Sequence, residues 1–168
     1  RFADVHYDGI LIRVPFLVRW PGVIPANQSS SVPVCSIDLF PTILQACGVP
    51  LPQDRPIDGV SLLSHLKSGG ETPLTRDELV WHFPHYRHAP GPYSILRKGD
   101  WKLIKFWEGR RELFNLRDDL SEGTNLAEEM PDKVAELETL LAQRLKSQGA
   151  KLPRPNPDYA SNGKGASR

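Results

Sequence analysis

Trp81-His82-Phe83-Pro84-His85-Tyr86-Arg87-His88 is the densest set of chemically capable side chains in the sequence. Histidines recur there at positions 82, 85 and 88, which raises two chemistries. One is metal ligation; the other is hydrogen bonding to an anionic or sugar ligand. Pro84 forbids a helix, and in a strand the rings of His82 and His85 would point apart. No carboxylate or thiolate adjoins the run to complete a metal shell. Contact with a ligand through His82 and His85 and a purely structural role both stay open.

A second cluster is Tyr7-Asp8-Gly9 with Arg13-Val14-Pro15. An acid beside glycine, then an arginine ahead of an apolar run, suits a loop at a strand end, where α/β sheets collect ligands. Asp8 and Arg13 could equally pair with each other. A third group is basic: Arg97, Lys98, Lys102, Lys105, Arg110 and Arg111. Lysines so placed read as the solvated polar decoration of strand edges. No Ser/Cys–His–acid set and no phosphate-cradling glycine loop can be assembled, so no nucleophile stands in a credible setting.

The elements that must position these residues follow from pattern. Runs 95–97, 101–107 and 112–116 are rich in aliphatic and aromatic residues and are separated by Lys98-Gly99-Asp100 and Glu108-Gly109-Arg110-Arg111. Such spacing predicts a β-meander, with residues 79–83 as a fourth strand. Within 101–107 neither alternate set is purely polar, which predicts a sheet covered on one side and partly covered on the other. Pro131 opens a predicted helix that ends near Gln148 at Gly149, with Val134, Leu137, Leu140, Leu141 and Leu145 on its apolar stripe. That stripe is expected to pack on the meander.

Upstream, residues 14–22 read as a buried strand closing at Pro21-Gly22, and a strand alone needs a sheet to pair with. Residues 36–48 predict a helix capped by Ser36 or Asp38, with Leu39, Phe40, Ile43, Leu44 and Cys47 as its stripe. Residues 58–66 predict a turn and a short helix, with His65 satisfied or at the surface. The tail from Leu152 is expected to be extended.

Composition narrows the classes. The net charge is +1 over 168 residues, which gives no electrostatic case for nucleic acid or an acidic membrane. No apolar run approaches the roughly 20 residues that span a bilayer. Arg1-Phe-Ala-Asp shows neither a basic start nor an apolar core, so a fragment is expected rather than a signal peptide. The 2 cysteines, Cys35 and Cys47, are too few for a disulfide scaffold and are expected to be buried thiols.

Taken in order, several motifs resemble a known family. They are Tyr7-Asp-Gly, Arg13-Val-Pro-Phe-Leu-Val-Arg-Trp-Pro-Gly22, Ser36-Ile-Asp-Leu-Phe-Pro-Thr-Ile-Leu44 and Asp58-Gly-Val-Ser-Leu62. Further on come Trp81-His-Phe-Pro-His-Tyr86, Arg97-Lys-Gly-Asp-Trp-Lys-Leu-Ile104, Glu112-Leu-Phe-Asn-Leu116 and Asn125-Leu-Ala127. From about Tyr7 to Tyr159 the chain resembles the C-terminal part of a formylglycine-dependent, arylsulfatase-like sulfatase. The resemblance implies an α+β fold. It consists of a four-stranded antiparallel sheet packed by a C-terminal helix, preceded by the last strand and helices of an alkaline-phosphatase-like α/β domain. It implies boundaries at 1–75 for the large domain's end, 76–150 for the small lobe and 151–168 for the tail.

The chemistry implied is sulfate-ester hydrolysis. A formylglycine made from Cys or Ser in Cys/Ser-x-Pro-x-Arg attacks sulfur, and Ca²⁺ offsets the charge. No such motif occurs here, since Cys35 leads into Ser-Ile-Asp and Cys47 into Gly-Val-Pro. Formylglycine and Ca²⁺ are therefore expected in the full-length parent, with no catalytic or metal-binding residue in this segment. The family's sulfate-binding Lys, four residues before its Tyr-Glu-Gly-Gly tyrosine, is Ala3 here, and the second glycine is absent.

His82 and His85 resemble substrate-side contacts of a subgroup whose small domain borders the active-site pocket. Expected partners are the N-terminal catalytic part, a sulfated glycan or aryl sulfate, and a second copy through exposed apolar surface. A periplasmic or secreted location is expected. The alternatives are a non-catalytic carbohydrate-recognition or interaction module, or a degenerate member that binds without cleaving.

Overall fold

The computed structural model describes residues 14–86 and 91–154. Tyr7, Asp8, Gly9, Arg13 and His88 lie outside them, and so does most of the tail. A 3-10 turn at Ser36–Asp38 leads into helix α1 (Leu39–Ala46), followed by α2 (Leu63–Lys67). Strands β1 (Glu78–Phe83), β2 (Tyr93–Lys98), β3 (Trp101–Phe106) and β4 (Arg111–Asn115) come next, then helix α3 (Pro131–Ser147). The strands pair antiparallel in the order β1-β2-β3-β4. This is the α+β meander with a C-terminal helix that the pattern predicts.

Register fixes what each face carries. Val80 lies opposite Leu96, Leu96 opposite Leu103, and Leu103 opposite Leu113. On this row pack Leu137, Leu141 and Leu145, the stripe of α3. These buried leucines each contribute roughly 1.5–3 kcal/mol by leaving water. Truncating Leu141 to alanine is expected to cost about 2–5 kcal/mol, because a cavity remains. The other face carries Ile95, Ile104, Phe106 and Phe114, all buried, and Phe83 stacks on Tyr93 at 5.6 Å. Both faces are therefore covered, which is why neither alternate set of β3 is polar.

α3 is bounded as its sequence dictates. Pro131 sits in the first turn with Asp132, and Arg144 and Lys146 sit in the last, where each charge opposes the helix dipole. Gly149 takes φ +62°, a conformation open to glycine at little cost. That reversal lets Gly149 N–H donate to Lys146 O and Ala150 N–H to Leu145 O, closing the helix.

The loop after β4 seals that strand's outer edge. The Leu113 amide donates to Asn125 Oδ1, Leu126 N–H donates to the Leu113 carbonyl, and Asn125 Nδ2 donates to the Arg111 carbonyl.

Before the sheet, Asp38 is the hub. It is fully buried. Its carboxylate accepts from the amides of Cys35 and Val60 at 2.8 and 3.0 Å and from both terminal nitrogens of Arg76. Burial alone pushes the Asp38 carboxyl up; the Arg76, Val60 and Cys35 donors outweigh it and hold the group below its ordinary value. Thr42 Oγ1 donates to Asp38 O and accepts from Leu62 N–H, so the start of α1 is tied to the segment entering α2. Gly59 makes that approach possible, since a Cβ there would fall 2.1 Å from Ile37 O. His65 is satisfied, as expected, by Ser30 Oγ and Thr72 O.

Several expectations fail here. Residues 14–19 form no strand, and Leu17 is 92% exposed. The apolar run is there, but none of the described strands pairs with it, and backbone without a partner does not hold a sheet geometry. The Pro21-Gly22 turn does form, with Val23 and Ile24 amides on Trp20 O. The stripe of α1, by contrast, is uncovered as the exposed apolar surface expected of a fragment requires: Phe40 and Ile43 are 48% and 58% exposed. Cys47 lies exposed at the end of that uncovered helix and Cys35 is half-buried, so the two thiols are free and neither is fully buried. Lys102 is no edge decoration either. It is buried on the face away from α3, where Nζ donates to both Glu122 oxygens at 2.8 and 2.6 Å.

Candidate functional site

β1 and β2 place His82 directly opposite Ser94 on the face that α3 covers. Ser94 is fully buried. Its Oγ lies 2.7 Å from His82 Nδ1 and 3.0 Å from Trp107 Nε1. His82 Nε2 lies 2.9 Å from the Lys151 carbonyl. A carbonyl only accepts, so Nε2 carries a hydrogen. In the neutral ring Nδ1 is then the acceptor, taking the Ser94 hydroxyl proton, while the indole N–H donates to the same oxygen. The His82 ring also meets Trp107 edge-on at 6.0 Å. The result is a continuous relay: indole, serine, imidazole, backbone carbonyl. It fixes the orientation of Trp107 and pins the chain after α3 to the sheet.

His85 stands apart. It follows β1 beyond Pro84, is exposed, and meets Phe83 edge-on at 5.5 Å. Phe83 belongs to the opposite face from His82, because it lies across from Tyr93. The structure thus brings His82 together with Ser94 and Trp107 and does not bring it together with His85. Next to His85, Tyr86 OH donates to Glu108 Oε1 at 2.9 Å, joining the loop after β1 to the turn before β4. Accepting that bond, Glu108 holds the Tyr86 hydroxyl above its ordinary range.

Ser94 and Trp107 were not singled out by sequence reasoning. The available signal was weak: a serine in an otherwise apolar strand is a candidate buried hydroxyl, and a buried hydroxyl needs partners. Asp38 and Arg76 were likewise missed as a pair, since 38 positions separate them and only tertiary structure joins them.

The donor set does not fit the metal the resemblance implies. Among the described residues no three His, Cys, Asp or Glu side chains gather in a group able to hold an ion, and the formylglycine motif is absent from the sequence. Among the described residues no helix is long and apolar enough to cross a membrane.

Residues 5–151 match the family described as N-sulphoglucosamine sulphohydrolase, C-terminal. A sulfatase from Formosa agariphila is 33% identical over 168 residues, 94% of this chain and 30% of that protein. The N-acetylglucosamine-6-O-sulfatase of Bacteroides thetaiotaomicron is 32% identical over 143 residues, 80% of this chain and 25% of that enzyme. The solved structure of BT4656 in complex with its substrate D-glucosamine-2-N,6-O-disulfate superposes with TM-score 0.67 at 30% identity, covering 78% of this chain and 28% of that one. The chain therefore spans 30% and 25% of the length of these two curated relatives. A four-stranded meander under an amphipathic helix, matched over nearly its whole length, places the chain in the N-sulphoglucosamine sulphohydrolase C-terminal family of sulfatases.

Proposed function

We propose that the chain is the C-terminal lobe of a sulfatase that hydrolyses sulfate esters of a carbohydrate, a sulfated glucosamine being the favoured class. The family match over residues 5–151, on a fold shared with an enzyme bound to a glucosamine disulfate, carries this reading. Residues 1–75 are then the end of a large α/β domain, 76–150 the small lobe and 151–168 its tail. The exposed side chains of Leu17, Phe40 and Ile43 would face the N-terminal catalytic part. That part would supply the formylglycine nucleophile and Ca²⁺, the groups that attack and neutralise the sulfate. In isolation the same faces could pair two copies. An exported location belongs to the same proposal.

Both ring nitrogens of His82 are committed inside the lobe, so the substrate-side contact falls to His85, and His82 acts by holding its neighbours. His85 has the exposure this needs, on a loop braced by the Tyr86–Glu108 bond.

The test is expression of the complete reading frame that contains this chain, with formylglycine maturation, and ion chromatography of sulfate released from glucosamine 6-sulfate and from 4-nitrophenyl sulfate. Release from the sugar supports the reading. Glycan binding without release favours a recognition module. Turnover by the purified 168-residue chain would overturn the assignment of the nucleophile to residues outside it.

A further inference from the structure

A cleft of about 490 Å³ opens between the last turns of α3, the end of β3 and the segment after Gly149. That is within the range of small-molecule sites, about 300–1,000 Å³. Its walls include Leu141, Leu145, Leu152 and the indole of Trp107, with Lys105 and Lys146 also lining it. The apolar walls are built, not incidental. Leu141 and Leu145 belong to the core packed on the sheet, and Trp107 packs against that core. The relay through Ser94 and His82 holds the indole in one orientation, and the Lys151 carbonyl bonded to His82 holds Leu152 close by.

The charges around the cleft are unequal. Glu138 is the one carboxylate lining it. Its Oε1 is already answered twice, by Arg111 Nε at 2.7 Å and Lys105 Nζ at 3.3 Å. Lys146 adds a further cation. At the α3 terminus, Leu145 O and Lys146 O are already occupied, accepting from Ala150 and Gly149. Greasy walls under a cationic surplus suit an apolar body with a negative head.

We infer that this cleft binds an amphipathic organic anion, an aromatic or alicyclic ring bearing a sulfate, sulfonate or carboxylate. The site lies on the helix-covered face, away from His85, and does not depend on the sulfatase reading.

The test is a titration of the isotopically labelled full chain with 2-naphthalenesulfonate, followed by backbone amide NMR. 1-Naphthylmethylammonium serves as the counterpart with a similar ring and opposite charge. The expected result is saturable shifts at residues 105–107 and 142–152, with the ammonium binding at least about tenfold more weakly. Lys146→Glu, at an exposed position, is expected to weaken the sulfonate about twofold to fivefold, as surface charge pairs do. Ala142→Trp, also exposed, fills the cleft from outside the core and is expected to remove binding while the melting temperature holds. Shifts confined to residues 14–51, no shifts at all, or equal affinity for both probes would overturn the inference.

Discussion

Arg76 grips Asp38 with both ends of its guanidinium, Nη1 to Oδ1 at 2.5 Å and Nη2 to Oδ2 at 2.7 Å, across a site from which the carboxylate is wholly shielded. Removing the arginine leaves a buried charge with only backbone donors. Arg76→Ala is expected to cost about 3–5 kcal/mol, the scale for breaking a buried pair, read by urea unfolding. The pH dependence follows from the lowered Asp38 carboxyl. A carboxyl depressed on folding stabilises above its unfolded value and stops doing so as pH falls through the folded one. The Asp38 contribution is therefore complete above about pH 5 and is lost progressively below about pH 4. In melts from pH 6 down to pH 2, Asp38→Asn should flatten that acid limb; an unchanged limb would count against the buried pair.

Lys102 and Glu122 make the second buried pair, on the face away from α3. Burial pushes the Lys102 ammonium down, and Glu122 opposes the shift. Glu122 also holds a left-handed backbone, φ 57°, which costs a non-glycine residue about 1–2 kcal/mol. Lys102→Met alone is expected to destabilise by about 3–5 kcal/mol, because Glu122 is left uncompensated. Lys102→Met with Glu122→Gly should recover much of that loss, since the charge and the unfavourable backbone go together. A double-mutant cycle by chemical denaturation checks it, and strict additivity would sink the coupling.

Ser94 carries the relay. Ser94→Ala leaves the half-buried Trp107 N–H and His82 Nδ1 without their shared partner, with an expected cost of about 1–3 kcal/mol. A merely structural loss would leave the indole signal alone. The relay predicts instead that the Trp107 indole proton shifts and exchanges faster with solvent, and that His82→Ala reproduces part of the effect. Ser94→Thr keeps the hydroxyl and should restore the signal.

The uncovered apolar side chains give a prediction with opposite signs. Ile43→Asp and Leu17→Asp remove exposed hydrophobic surface and leave the core untouched, so stability should change by less than about 0.5 kcal/mol. Binding of a dye for exposed apolar surface should fall, and so should self-association by light scattering. In a complete sulfatase chain the same substitutions should instead destabilise, because those faces would be covered.

Much of the small lobe was legible in the sequence because its signals are local. Lys98-Gly99-Asp100 and the Gly109 turn mark where strands stop, and Pro131 and Gly149 bracket a leucine stripe that can face only the meander. What stayed hidden depends on partners distant in sequence. Lys102 sits in the same alternating phase as Ile104 and Phe106, which marked its face as apolar; its counter-ion lies in a polar loop that pattern reading assigns to solvent. The apolar run at 14–19 shows the converse: composition announces burial but cannot supply the strands that would pair with it. For the candidate site, the histidine run drew attention to His82, while the serine and tryptophan that engage it were invisible until register placed them.

Asn125 has a wider consequence. By occupying the amide and carbonyl positions along the rim of β4, its side chain stands where an incoming chain would otherwise lay down an extra strand. Growth of the sheet into ribbons is barred on that side. Copies of this molecule that meet at that rim must do so through side chains rather than by adding a strand.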